Sequence, residues 1–300
     1  KPVRYFDQLK ILAPDYAFNF EINEKKSSII NKINSVSNEL KNYAHAYFGI
    51  QTFNREIYVS KKRINKSWLP VIDGANIQPY KLLDYTEFVH FIGEAIKSGG
   101  NTDVYKKERI VVRQIGKYPE GALCPPNIFT LNTIYNIYLV NDLVKIEFLL
   151  GILNSQVTKF YWLTVNSDNK ETFPKIKKEP LESIPIPTTD NIIQNLISKI
   201  VNYVHIQKRN NIDLNFFESI INAIVYELFF IDEITNANAN ILKYLSNLPE
   251  LVEDWSDDKK IKTIEKVYKE LCEPTNPVFV AIQRQKSVEE VRIIEGLDRD

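Results

Sequence analysis

The sequence predicts an α+β chain: a twisted, mostly antiparallel sheet with one long helix, followed by a C-terminal helical region. Three observations predict it. Short apolar runs separated by glycine- and proline-rich turns fill the middle of the chain, from Tyr47 to about Val140. A run with helical spacing follows, roughly Val144–Thr164. After Thr188 every apolar run keeps the helical i, i+3, i+4 spacing.

Taken in order, residues 1–23 hold one strand candidate, Tyr16–Ile22, where apolar and polar residues alternate. Residues 27–45 switch to helical spacing, with Ile29, Ile30, Ile33, Val36 and Leu40 on one face and Ser27 or Ser28 as N-cap. Strand candidates then come as Phe48–Phe53, Glu56–Ser60, Trp68–Ile72, Arg109–Ile115, Asn127–Leu131 and Asn136–Val140. The breaks between them carry Gly49, Asp73-Gly74, Gly99-Gly100, Gly116, Gly121 and Pro125-Pro126. A lysine-rich loop spans Ser167–Glu182 and ends in Ile184-Pro185-Ile186-Pro187, whose alternating prolines forbid a helix or a central strand and imply an extended surface segment. Helices are expected at 191–207, 213–230 and 257–272.

Composition bounds the function classes. The 300 residues are 44% hydrophobic, 12% aromatic and 25% charged, enough to bury a core and unlike a disordered chain. No apolar run reaches the ~18 residues that span a membrane, and neither a signal peptide nor a membrane partner is expected. Two distant cysteines, Cys124 and Cys272, imply a reducing compartment. Heavy use of Ile, Lys and Asn suggests an AT-rich bacterial genome and a cytoplasmic protein. The chain contains no Met and opens on Lys1-Pro2-Val3, which reads as a C-terminal piece of a longer protein.

The formal charge is zero, from 38 basic and 38 acidic residues, which argues against a uniformly basic nucleic-acid binder. The zero is a sum of unlike parts. Residues 1–212 carry 28 basic and 20 acidic residues, and residues 213–300 carry 10 and 18. Such asymmetry marks either two surfaces with different tasks or two solvated faces.

Catalytic chemistry finds little support. His45, His90 and His205 are scattered, there is no zinc spacing, and Gly99-Gly100 is a turn signal and no phosphate cradle. Neither a G-x-S-x-G serine nor a supported cysteine nucleophile is present. Asp254, Asp257 and Asp258 read as a solvated helix start. No catalytic motif, metal or cofactor is therefore expected in this chain. Basic and amide side chains make the better case: Lys61, Lys62, Arg63 and Lys66; Arg113, Gln114 and Lys117; and Lys170, Lys175, Lys177 and Lys178 punctuate the sheet and its loops. Lys and Arg hold phosphates, and Arg, Asn and Gln read base edges.

Four ordered motifs give this pattern a family. Phe48-Gly49-Ile50-Gln51-Thr52 leading into Glu56-Ile57-Tyr58-Val59 is similar to a "GI-x-T-G … F-I-V" opening, with Asn54 near where a glycine is common. Pro70 to Tyr80, with Gly74, Asn76 and Ile77, resembles "P-x-x-x-G-x-[DN]-I-x-x-Y". Glu108-Arg109-Ile110-Val111-Val112-Arg113 resembles a central "K-I-x-x-R" strand. Leu149 to Ser155 and Leu181 to Pro187 resemble the "L-x-x-L-L-N-S … L-x-x-[IL]-P-[IL]-P" close. Together, residues 30–187 resemble the TaqI-like target-recognition domain found C-terminal to the methyltransferase of type IIG restriction–modification enzymes and related adenine methyltransferases. Phe217–Ile234 resembles a helix that often follows such domains.

The resemblance implies residues 1–26 as a linker from an upstream methyltransferase domain, 27–188 as a double-stranded DNA target-recognition domain, and 189–300 as a C-terminal helical region. It implies that S-adenosylmethionine, and Mg if a nuclease exists, belong to the parent protein; Cys124-Pro125-Pro126-Asn127 only echoes the methyltransferase "N-P-P-Y". Base reading is expected of Arg113, Gln114 and Asn76, and phosphate contact of Lys61, Lys62, Arg63, Lys66, Lys117, Lys170, Lys175, Lys177 and Lys178. Arg113 is equally compatible with a structural ion pair. Two other readings stay open: the specificity domain of a phage-exclusion methyltransferase without nuclease, and a protein-interaction module working through the acidic helices.

Overall fold

The computed structural model describes residues 24–166, 174–212 and 215–297. The strand candidate Tyr16–Ile22 and Lys170 lie outside the described residues.

A four-stranded antiparallel sheet forms the middle of the molecule, in the order Gly121–Cys124, Arg109–Arg113, Ile134–Leu139, Ala44–Phe48. Its strands read as apolar runs because both faces are covered. With a period of two, Ile110, Val112, Leu123, Tyr135 and Ile137 point toward the helices. Val111, Ala122, Cys124 and Ile134 point the other way, into a small cluster with Ile72 and Ile77. Arg109 shares that second face and is fully buried, with no carboxylate partner among the described residues. Its Nε donates to Asn136 Oδ1 at 2.7 Å, its Nη2 donates to the Ile128 carbonyl, and the guanidinium lies 5.0 Å from the centroid of the Tyr105 ring. Asn136 in turn donates to Thr130 Oγ1 at 2.8 Å. A buried cation is tolerated because its donors are met by fixed oxygens.

The second strand layer has the order Phe129–Thr130, Trp68–Ile72, Glu87–His90, Val59–Ser60, and its first pair is parallel. Trp68–Ile72 agrees with the sequence expectation, whereas Glu56–Ser60 does not. Asn54 caps a helical turn at Arg55–Tyr58, accepting from the Glu56 and Ile57 amides, and only Val59–Ser60 is strand. Phe48–Phe53 is likewise interrupted after Phe48. At Gly49 the backbone passes so close to the neighbouring loop that a Cβ would sit 2.0 Å from the Leu131 carbonyl oxygen, so only glycine fits.

Helical spacing located the helices but not their ends. The first described helix, Glu24–Ser35, is already formed at Glu24, upstream of both proposed serine caps; it buries Ile29, Ile30 and Ile33. The single helix expected at Val144–Thr164 is two, Ile146–Leu153 and Gln156–Val165. Ser155 caps the second by accepting from the Thr158 amide, while Asn154 turns away to bond Gly121. Asn191–Arg209 packs along Ile146–Leu153 and against Phe216–Phe229. Asp257–Leu271 is followed by Pro277–Gln285 and Glu289–Ile294, which the sequence reading did not separate.

The Ile184–Pro187 segment is extended as expected, but it is buried. Pro185–Pro187 pairs with Ser37–Glu39, and Ile184 and Ile186 join the main core. Prolines fit there because this ladder has only two strands. That core runs from Ile29 to Ile294, so the packing is continuous across residues 188–212, where the helical region begins and the charge changes sign.

Candidate functional site

One end of the central sheet gathers Arg113, Gln114, Lys117, Lys175 and Lys177. Thr133 is the hub. Its carbonyl accepts from the Gln114 amide at 2.8 Å, and its hydroxyl accepts from the Gly74 amide at 3.0 Å. The chain leaving Arg109–Arg113 is then zipped to the segment after residue 173. Gly116 N donates to the Pro174 carbonyl at 3.1 Å, Ile176 N donates to the Gln114 carbonyl at 2.8 Å, and Ile115 bridges Lys175. Sequence-distant Lys117, Lys175 and Lys177 thereby share one rim, all exposed and without an ion-pair partner among the described residues. Ile115 stands exposed among them.

Arg113 ends its strand at this rim. Its Nη2 donates to Glu120 Oε2 in an ion pair, and its Nε is buried with no hydrogen-bond partner. The Arg113 side chain is 38% exposed and that of Glu120 only 19%, so the guanidinium is the more accessible member of the pair. Gln114 is half-buried, and its Nε2 reaches the Ile134 carbonyl at 3.3 Å.

Two expectations change here. Asn76 closes its own loop: its Oδ1 accepts from the Asp73 amide at 3.0 Å and its Nδ2 donates to the Asp84 carbonyl at 2.9 Å. Its Oδ1 completes a capping box with Asp73 while its Nδ2 is held by Asp84, so both polar atoms fasten the loop. Lys178 opens the short helix Lys178–Glu182 and lies 3.7 Å from Glu182, so it differs from its unpaired neighbours Lys175 and Lys177.

Lys61, Lys62, Arg63 and Lys66 form a separate patch. They occupy an exposed loop joining Val59–Ser60 to Trp68–Ile72, two strands that flank Glu87–His90 on opposite sides. None has an ion-pair partner among the described residues, and Ile64 stands exposed between them. The patch lies at the Trp68 end of its strand, and Asp73-Gly74 with the Arg113 rim lies at the other. The five-residue strand between is about 17 Å long.

Sequence reasoning did not identify Glu120, Thr133 or the buried role of Arg109. The alternation in Arg109-Ile-Val-Val-Arg113 does put both arginines on one face, but only the fold shows that one is interior and the other at the rim.

Burial pushes the Cys124 thiol up to about 11, which leaves it protonated and inert at neutral pH. His90 stacks on Trp68 with centroids 4.9 Å apart, His45 lies 3.8 Å from Glu182, and His205 Nδ1 is 3.2 Å from the Tyr80 carbonyl. Among the described residues no group of three or more His, Cys, Asp and Glu side chains could hold a metal ion, and no helix is long and apolar enough to cross a membrane.

Residues 69–186 match the family model of the TaqI-like C-terminal specificity domain, a stretch that contains Arg113, Gln114, Lys117, Lys175 and Lys177. The opening motif at Phe48–Val59 lies outside the matched residues. Among solved structures the chain is similar to the S subunit of a type I restriction–modification system from M. genitalium, with 18% identity and a TM-score of 0.36 over 69% of this chain and 49% of that one. It is also similar to the HsdS subunit from Thermoanaerobacter tengcongensis, with 12% identity and a TM-score of 0.37 over 69% and 52% of the two chains. The chain spans about half the length of these subunits. No curated protein matches it.

Proposed function

We propose that this chain is the DNA-reading part of a restriction–modification protein, and that it selects a double-stranded target for a catalytic domain elsewhere. The observation that carries the reading is coincidence of place. The stretch matching a specificity domain is also where the fold brings unpaired lysines onto one rim beside an arginine and a glutamine.

The rim would sit in the major groove, where an Arg fork suits guanine O6 and N7 and a Gln amide suits adenine N6 and N7. Lys117, Lys175 and Lys177 would hold the adjacent backbone, and Lys61, Lys62, Arg63 and Lys66 phosphates further along. The ~17 Å strand between the two patches corresponds to about five base pairs at 3.4 Å each. The finer reading is a type IIG enzyme or an adenine methyltransferase of bacterial origin, with the methyltransferase domain upstream in the same polypeptide. On that reading S-adenosylmethionine, and Mg if the parent cleaves DNA, would belong to the upstream part of the polypeptide.

Selection from a randomised duplex library tests the reading. It predicts enrichment of one short motif, and relaxed choice at a single position for Arg113→Ala. A selected pool that stays random contradicts it.

A further inference from the structure

Arg113 is useful as a reader only if its fork is aimed. A flexible arginine on a basic rim falls on the nearest phosphate and carries no sequence information. The fold supplies an aim through a chain of contacts that begins in the helices. Asn154 sits between Ile146–Leu153 and Gln156–Val165. It clamps Gly121 from both sides, accepting from the Gly121 amide at 2.8 Å and donating to the Gly121 carbonyl at 3.0 Å. The same carbonyl accepts the Tyr80 amide at 2.9 Å. Gly121 pairs with Val112 across the antiparallel ladder, so Glu120 falls opposite Arg113 in the next register position. There the carboxylate takes the Arg113 Nη2 from its more buried side.

We propose that Glu120 is a positioning residue for sequence choice: held by Asn154 through Gly121, it fixes the Arg113 fork toward a base edge and keeps it off the backbone. The inference rests on the DNA-reading function proposed above. Glu120 has a second effect of the opposite sign. A carboxylate at the rim repels phosphates and the acceptor edge of guanine unless the arginine stands between them. Glu120 therefore lowers affinity for arbitrary duplex while raising discrimination.

This sign pattern separates a positioning role from a purely structural one. Binding of the full chain to its selected duplex and to a random duplex is measured at one salt concentration, for the native protein and Glu120→Gln. The inference predicts that Glu120→Gln binds random duplex a few-fold more tightly, while the selected-to-random ratio falls by about tenfold, within the range for one misread base pair. Arg113→Lys, which keeps the charge without the fork, should lose the ratio without gaining on random duplex. If Glu120→Gln does not fold, Glu120→Asp retains the charge on a shorter stem and should give a partial loss of ratio. An unchanged ratio in the folded variant, or the same fold-change on both duplexes, overturns the inference. A native chain that shows no discrimination overturns the underlying reading instead.

Discussion

On the strand-rich side of the molecule, Lys61, Lys62, Arg63, Lys66, Lys117, Lys175 and Lys177 face outward with no carboxylate within ion-pair distance among the described residues. On the helical side, basic residues of the first 212 positions meet acids of the last 88. Lys25 pairs with Glu289, Lys32 with Glu233 and Glu290, Lys199 with Glu250, Lys208 with Glu218, and Arg209 with Asp257. The surplus of one part and the deficit of the other thus cancel partly inside the fold. The seven cations on the sheet and its loops keep no such partner among the described residues, and a polyanion could meet them there. The comparison teaches that a net charge of zero is compatible with a basic binding face when the compensating acids belong to the opposite side.

The comparison can be broken most severely through the core that both sides share. Phe148 is fully buried in the cluster that runs from the first described helix to the last. Phe148→Ala should cost about 3–5 kcal/mol in a denaturant titration. Strand-side and helix-side probes should lose stability together, and separate transitions would show two independent units.

Removing Lys61, Lys62 and Arg63 together should leave the melting temperature almost unchanged. It should weaken duplex binding and reduce the slope of log affinity against log salt by about 2–3. If melting falls while the slope is preserved, that loop is structural and the contrast between the two sides fails.

Lys32 tests the other side. Burial works against its ammonium, but the hydrogen bonds it donates to Glu233 and Glu290, with their charges, outweigh that and hold its pKa above the ordinary lysine value. The side chain is partly exposed, so Lys32→Met should cost only about 1 kcal/mol, with duplex affinity intact. Lost affinity would place this helix in the binding face.

The smallest expected effect is a pH dependence. Burial lowers the His205 pKa below its ordinary 6.5, with the Tyr80 carbonyl opposing and Arg209 adding to the shift. The unfolded chain then binds more protons than the folded one as pH drops through 6.5, so this contribution is complete above that value and is lost below it. His205→Gln should flatten the melting-temperature profile between about pH 5 and 7. An unchanged profile would assign that slope to other groups.

Much of the fold was legible because burial repeats along the chain. Ile29, Ile30 and Ile33, or Ile220, Ile221 and Ile224, announce a helix face without any long-range information. Boundaries were less legible where a polar side chain served a distant partner. Asn154-Ser155 sits inside an apolar run, and only the fold shows that Asn154 leaves the helix for Gly121. Gly121–Cys124 escaped notice because a four-residue strand flanked by Pro119 and Pro125 looks like a turn. At the site, residue type was readable and commitment was not. Arg113 and Asn76 are both readable as base-contact types, yet Asn76 is consumed by its loop while the Arg113 side chain stays partly exposed at the rim. The zipper between Gln114–Gly116 and Pro174–Ile176 joins segments about sixty positions apart, which no local pattern records.

The central claim is that the strand side carries a face for a polyanion. Its most direct measurement is the affinity of the whole chain for a duplex across a series of salt concentrations. Seven cations without an ion-pair partner among the described residues predict a linear decline of log affinity with log salt at a slope of about −6. A slope near zero would contradict the account, because a face without phosphate contacts would have no reason to leave those lysines unpaired.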